Sequence, residues 1–357
     1  MTELFGDPEL IEMRDDERLD TSRIEPYLRE NLFKSDAPMS FAQFGGGRAN
    51  LTYFVRCGDD EFVLRRPPLG PVAASSHDMK REHRVLSRLW RGFPLAPRSF
   101  LYSNDESLIG AEFHVMERKL GFGIRTSLPN DLRGDTDTCR RIGEMVVDTL
   151  VALHKVDPQS IDLDSLGRPE GFATRQLEGW TKRWHAAKNA DLNDFDRLVA
   201  WLKPRLPESK AVALLHNDFK LDNMLLDRTD PARPTAVLDW DMCTRGDPLM
   251  DLGQMLTYWA QSDDDPRWHD RMGTPSWEPG FPTRADIIER YATGTGHDLD
   301  DWRWYFAFGI FKLIVVLQQI YIRFLRGQTR DERFAHFGER IRAMIDKGIA
   351  VTEGRLS

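Results

Sequence analysis

Cysteine is scarce in this 357-residue sequence: Cys57, Cys139 and Cys243 stand far apart and odd in number. They form no CxxC pair and no disulfide framework, so a stapled secreted scaffold is excluded and a reducing cytoplasm is the expected location. Positive charge is also short, with 49 basic against 57 acidic residues and a formal charge of −8. General attraction to nucleic acid or to an anionic membrane is therefore not expected. The nine histidines show no HExxH or related ligand spacing, so no zinc chemistry is expected. Repeats and low-complexity blocks are missing. The N-terminus, MTELFGDPELIEMRDDERLD, lacks the apolar h-region of a signal peptide. Long apolar runs are limited to WYFAFGIFKLIVVLQQIYIRFL, residues 304–325, and Lys312 interrupts it. A central lysine costs about 3 kcal/mol on membrane insertion, so a buried helix of a soluble protein is expected there.

What is present suits an ordinary globular chain, at 41% hydrophobic and 30% charged residues. The length suggests roughly two domains. Residues 1–38 read as a charged leader with a short helix at best. From Met39 the pattern is β-like. Leu51, Tyr53, Val55 and Cys57 alternate as a half-buried strand does, and CGDDE suits a hairpin turn. A helix is expected over roughly 76–90, where Met79, Glu82, Leu86 and Leu89 share one face. A carboxylate in that apolar stripe requires a partner. AEFHVMER (111–118) reads as a further strand, and residues 138–154 as an amphipathic helix. Strands thus crowd into 39–117 and helices follow over 118–357, a segregation that argues an α+β fold with two unequal lobes.

The stretch LLHNDFKLDNMLLD (214–227) places His216, Asp218, Lys220, Asp222 and Asn223 between two apolar anchors. A second short apolar run, TAVLDW (235–240), carries Asp239. Phosphoryl transfer needs a carboxylate near the attacking hydroxyl and oxygen ligands for magnesium, and a loop followed by a strand can bring Asp, Asn and a second Asp together. For one Asp and one Asn alone, a polar loop with Asx turns and caps accounts for the same residues.

H-x-D-x-x-x-x-N, here His216 to Asn223, followed by VLDWDMCTRGDPLMDLG, resembles the aminoglycoside phosphotransferase and choline-kinase-like family. It is most similar to the branch associated with acyl-CoA dehydrogenases, which it also resembles in FVLRRPP, REHRVL and FKLIVVLQQIYIRFLRGQT, so the likeness spans roughly 39–330. The resemblance implies a protein-kinase-like bilobal fold: a small β-rich N-lobe that binds nucleotide and a larger, mainly helical C-lobe with the catalytic loop and acceptor site. It implies ATP and Mg2+, with a small-molecule hydroxyl as acceptor. Asp218 would be the catalytic base or orienter, and Asn223 and Asp239 would hold magnesium. Asp251, His154 and His216 would brace the loop. Lys220 is left to the transferred phosphate or to solvent, and Asp222 to a partner within the loop.

FGGGRANLTYF lies between strands and is not a P-loop, which would open a helix. By resemblance Gly45, Gly46, Gly47, Arg48 and Asn50 would cover the phosphates, although a flexible hairpin accounts for the same glycines. Kinases fix a strand cation on the phosphates with a helix glutamate. Alternation after Val63 points Arg65 inward for that role, paired to Glu82, with Arg where Lys is usual. Bonds from Glu82 to surface arginines remain the other account. The main chain around Glu117 would be the hinge that bonds adenine.

Three functions follow from the same residues: a small-molecule kinase, a catalytically silent nucleotide-binding scaffold of the same fold, and a protein kinase. LDWD in place of DFG and the absence of APE argue against the last. For the acceptor, Asp263, Asp264, Asp265, Asp270, Asp298, Asp300 and Asp301 would suit a cationic aminoglycoside. Arg323, Arg326, Arg330, Arg333, Arg340, Arg342 and Lys347 would suit a CoA thioester. The branch resemblance favours a hydroxyacyl-CoA-like metabolite, with an aminoglycoside next.

Overall fold

The computed structural model describes residues 5, 7–33, 35–46, 50–68, 78–189, 193–269, 274–329 and 331–356. The chain divides into two compact units. One comprises residues 1–120 with 159–163 and 236–243, and the other comprises 121–158, 164–235 and 244–357.

The first unit is built on an antiparallel sheet. Its elements in chain order are β1 (Leu10–Ile11), α1 (Thr21–Asn31), β2 (Met39–Phe44), β3 (Leu51–Cys57), β4 (Asp60–Arg66), α2 (Met79–Leu89), β5 (Ser99–Ser103), α3 (Glu106–Ile109) and β6 (Phe113–Glu117), and the strands lie in the order β1-β2-β3-β4-β6-β5. The alternation expected in β3 is present. Leu51, Tyr53, Val55 and Cys57 share a core with Leu64, Phe113 and Val115, closed by Ile24 and Leu28 of α1 and by Phe33. Phe54 points to the other face and packs with Leu10 and Ala42. Successive strand residues point to opposite faces, so this face assignment carries over to β4. Leu64 joins the α1 side, and Arg65 faces the other way.

The described residues among 1–38 are therefore not a leader apart from the lobe. The strand Leu10–Ile11 pairs with Gln43–Phe44, Gln43 accepts from the Arg14 amide at 3.0 Å, and the Tyr53 hydroxyl donates to the Glu17 carbonyl at 2.6 Å. The charges that mark the segment as solvated lie between apolar residues spaced to cover a sheet face, Ile24 and Leu28, both fully buried.

The α2 boundary falls at Met79 because Asp78 caps it, accepting from the Arg81 amide. The segment 236–243, placed in the C-lobe by sequence order, packs in the sheet unit instead. The Val237 amide donates to the Leu95 carbonyl at 2.9 Å, Trp240 meets the Phe93 ring edge-on, and Arg81 donates to the Cys243 carbonyl at 2.5 Å.

The second unit holds α4 (Thr136–His154), α5 (Phe172–Ala187), α6 (Asn193–Leu202), β7 (Ala213–Leu215), β8 (Met224–Leu226), the start of β9 (Pro234–Val237), β10 (Thr244–Gly246), α7 (Leu249–Tyr258), α8 (Arg284–Thr295), α9 (Trp302–Leu325) and α10 (Phe337–Thr352). Strand β10, unmarked by any alternation in sequence, pairs antiparallel with β7, Leu215 opposite Thr244. The long apolar run is α9, which contacts α5, α7 and α10, and its most apolar 18-residue window is 72% buried. Glycine makes the α7–α9 crossing tight. A Cβ on Gly253 would stand 2.2 Å from the Tyr305 carbonyl oxygen, and one on Gly309 would stand 2.6 Å from that of Gly253.

Candidate active site

In the sheet unit, strand β4 presents Arg65 to the α2 carboxylate. Arg65 Nη1 lies 3.1 Å from Glu82 Oε1, and Nη2 donates to Asp239 Oδ1 at 2.6 Å. Glu82 is buried, and its other oxygen faces His114 Nε2 at 3.4 Å from strand β6. His114 Nδ1 meets the Ser99 hydroxyl at 3.1 Å, which meets His83 Nδ1 at 2.9 Å. Burial alone would raise the Glu82 pKa, but Arg65 and His114 outweigh it and hold the carboxylate ionised. Burial likewise opposes the Arg65 charge, and the Glu82 and Asp239 carboxylates reverse that effect. Both partners therefore stay charged in a dry setting, the condition under which such a pair holds its geometry. Asp239 lies beyond the strand that leads to it: β9 stops at Val237, and Asp239 adopts a left-handed backbone with φ 68°. That conformation is tolerated by Asp better than by most residues.

The remaining residues expected in this unit divide. Gly45 closes β2 with its amide donating to the Glu9 carbonyl at 2.9 Å, and a Cβ there would press on Ile11 at 3.3 Å. Gly46 is exposed and Asn50 is buried. Gly47 and Arg48 lie outside the described residues. The Glu117 amide donates to the Arg98 carbonyl at 2.8 Å, and its carboxylate accepts from the Arg98 amide at 3.1 Å and pairs with Lys119 at 2.9 Å. The adenine contact expected at Glu117 therefore cannot use that amide.

In the helical unit, the loop between β7 and β8 carries Asp218. Its Oδ2 accepts from Lys220 Nζ at 2.9 Å and Asn223 Nδ2 at 3.2 Å, and its Oδ1 accepts from the Tyr258 hydroxyl at 2.9 Å. Burial acts to lower the Lys220 pKa, and the surrounding Tyr258 and Asp218 oxygens outweigh it, so the ammonium stays charged. Asn223 Nδ2 also donates to the Asp218 carbonyl at 2.8 Å. With its amide nitrogen committed to the loop, Asn223 presents its oxygen as the acceptor. An amide oxygen and a carboxylate such as Asp239 are hard ligands of the kind magnesium takes, usually one or two from the protein with phosphates and water supplying the rest. The donor chemistry of Asn223 and Asp239 fits that ion. Among the described residues no three His, Cys, Asp or Glu side chains cluster to hold a metal by themselves.

The loop is held from behind. Asp251 accepts from the His216 amide at 2.6 Å and the Asn217 amide at 2.7 Å. His154 joins Asp251 at 3.4 Å and the Tyr291 hydroxyl at 2.6 Å. His216 Nδ1 accepts from the Asp218 amide at 3.3 Å, which matches a bracing role. Asp222 faces Arg125 at 3.9 Å. Three participants have no motif of their own in the sequence: His114 behind Glu82, Tyr258 on Asp218, and Lys312, whose ammonium donates to the Asn217 carbonyl at 2.6 Å. Lys312 did carry a signal, since a cation inside an apolar helix needs an acceptor.

Several members of the charged clusters weighed for an acceptor already have partners. Asp264 forms a buried bidentate pair with Arg284, Asp265 meets Arg267, and Asp298 meets Lys210. On the basic side Arg333 pairs with Asp331, and Lys347 is buried and donates to the Thr257 carbonyl at 3.1 Å. Asp270 and Arg330 lie outside the described residues.

Residues 40–286 match the phosphotransferase enzyme family, APH. The sequence is 30% identical over 361 residues to human acyl-CoA dehydrogenase family member 11, covering 99% of this chain and 45% of that protein. It is 31% identical to mouse acyl-CoA dehydrogenase family member 10, covering 96% and 32%. The chain thus spans less than half the length of these relatives. Among solved structures, a Ralstonia eutropha protein provisionally assigned as an aminoglycoside phosphotransferase superposes with a TM-score of 0.80 at 28% identity, covering 94% of this chain and 99% of that one. Choline kinase from Cryptosporidium parvum (TM-score 0.59, 15% identity, 92% and 98% covered) shares the fold. So does aminoglycoside phosphotransferase APH(4)-Ia, solved with AMP-PNP and hygromycin B (0.56, 19%, 91% and 98%). The fold is the protein-kinase-like one, with a small antiparallel sheet and a larger helical part.

Proposed function

The chain belongs to the phosphotransferase enzyme family, and on that premise we propose that it transfers the γ-phosphate of ATP, with magnesium, to a hydroxyl of a small molecule. The observation that carries this reading is the Asp218 carboxylate, held at both oxygens by Lys220, Asn223 and Tyr258 on a loop braced by Asp251. A carboxylate so fixed can take the acceptor's proton as the new oxygen–phosphorus bond forms and the bond to the ADP oxygen breaks. Lys220 and Arg65 supply fixed positive charge for phosphate oxygens. Arg65 is held in place by Glu82 and offers a planar fork that suits phosphate. Asn223 and Asp239 are the proposed magnesium ligands, and the ion would neutralise charge on the transferring phosphate.

For the acceptor we favour a hydroxylated acyl-CoA. The longer relatives carry acyl-CoA dehydrogenase names, and three of the seven aspartates that would have drawn a cationic aminoglycoside, Asp264, Asp265 and Asp298, are already paired to Arg284, Arg267 and Lys210. A cytoplasmic setting is part of the same proposal and rests on three buried free cysteines.

The test is a panel of hydroxyacyl-CoAs, aminoglycosides, choline and sugars with Mg-ATP, following ADP release and acceptor phosphorylation. Transfer to a hydroxyacyl-CoA supports the reading, and transfer to an aminoglycoside alone redirects the acceptor. A nucleotide-induced thermal shift without turnover on any compound would mark a silent binding protein instead.

A further inference from the structure

Helix α7 touches the catalytic loop at two points seven residues apart. In its first turn, Asp251 accepts the amides of His216 and Asn217. At its last residue, the Tyr258 hydroxyl donates to Asp218 Oδ1 at 2.9 Å. A helix rises about 1.5 Å per residue and bends little over two turns. One rigid element therefore sets both the backbone of the loop and the direction of its carboxylate.

From this the structure assigns Tyr258 as the positioning residue for Asp218, an inference that rests on Asp218 acting as the base. A carboxylate on a loop can rotate about two side-chain bonds, and only some orientations present a lone pair to an acceptor hydroxyl. Lys220 and Asn223 hold Oδ2 but come from the same loop and would move with it. Tyr258 comes from 40 residues away in sequence, on an element anchored independently. Lys347 of α10 donates to the carbonyl of Thr257, the preceding residue. The tyrosine ring also fixes the second contact, since Lys220 Nζ sits 4.8 Å from its centroid. Burial, reinforced by Asp218, raises the Tyr258 phenol pKa and keeps the hydroxyl a donor.

Tyr258→Phe removes the hydroxyl and keeps the ring under Lys220. With Mg-ATP and water as acceptor, and with the best hydroxyl compound of the panel, kcat should fall about tenfold, the effect of a lost hydrogen bond to a charged group. The KM for ATP should stay within twofold. Because the tyrosine acts through Asp218, the double variant Asp218→Asn with Tyr258→Phe should be no slower than Asp218→Asn alone. A single variant with wild-type kcat, or a double variant tenfold slower than Asp218→Asn, would overturn the assignment while leaving Asp218 as base. Wild-type protein inert towards every probe would remove the premise and the assignment together. Should Tyr258→Phe not fold, trifluorotyrosine at position 258 nearly keeps the shape while making the phenol a stronger acid and a stronger donor. A changed kcat at constant KM then supports the role, and an unchanged kcat rejects it.

Discussion

Arg65 Nη2 lies 2.6 Å from Asp239 Oδ1, although 174 residues separate them in the chain. With Glu82 on its other nitrogen, the guanidinium is shared between an N-terminal helix and a segment from the middle of the sequence. A buried cation with two carboxylate partners is fixed in place, and removing either partner changes more than charge.

Glu82→Ala removes one of the two carboxylates in contact with the buried Arg65. Breaking a buried pair on one side costs about 3–5 kcal/mol, so chemical denaturation should show a loss near the lower figure, with the thermal shift induced by Mg-ATP abolished. Full stability together with normal nucleotide binding would show that Glu82 does not hold Arg65.

Asp218→Asn keeps the shape of the site and removes the proposed base. Turnover should fall at least about 100-fold, the range of a lost general base, while the thermal shift with Mg-ATP persists. Asn223→Ala should instead raise the magnesium concentration needed for half-maximal turnover. Loss of nucleotide binding in Asp218→Asn would assign the residue to binding and not to chemistry.

Asp251 links stability to acid. Burial would raise its pKa, but His154, His216 and the donated amides outweigh it, so the folded value lies below the ordinary one. A depressed carboxylate contributes stability that is present above the unfolded pKa, about 3.9, and lost as pH falls through the folded value. Asp251→Asn should cost about 2–3 kcal/mol at pH 7. The gap to wild type should narrow below pH about 4, as urea titrations at pH 7 and pH 3.5 would reveal.

His83 acts in a higher window. Burial, with His114 adding to it, pushes its pKa down to about 4. The unfolded chain takes up this proton below pH about 6.5, whereas the folded protein does so only near 4. Stability should therefore drop as pH falls from 6.5 to 4. Allowing for partial exposure, the loss is about 1–2 kcal/mol. His83→Gln should flatten that slope, and an unchanged slope would place the titration elsewhere.

Much of the site was legible because its signals are local. Asp218 and Asn223 stand five apart in one loop, and the apolar spacing around Glu82 exposed a carboxylate that needed a cation. Alternation from Val63 chose Arg65 over Arg66, and Arg66 in turn donates to the Ile109 carbonyl on the opposite face. Less legible were contacts whose partners carry no pattern of their own. Tyr258 reads as the last residue of an apolar helix, and His114 as one residue of a strand.

The N-terminal segment shows the same limit. Ile24 and Leu28 look incidental among charges, because which face needs covering is a property of the sheet and not of the segment.

The sequence alone determined the α+β segregation, the Asp218 loop and its likeness to a known family, because periodicity and motif spacing are written over short distances of chain. Only the tertiary structure decided that Asp239 belongs with the sheet unit, that α1 completes its core, and that α7 holds both the backbone and the carboxylate of the Asp218 loop. Those outcomes depend on which surfaces bury one another. Burial couples residues by distance in space, and separation along the chain carries almost no information about it.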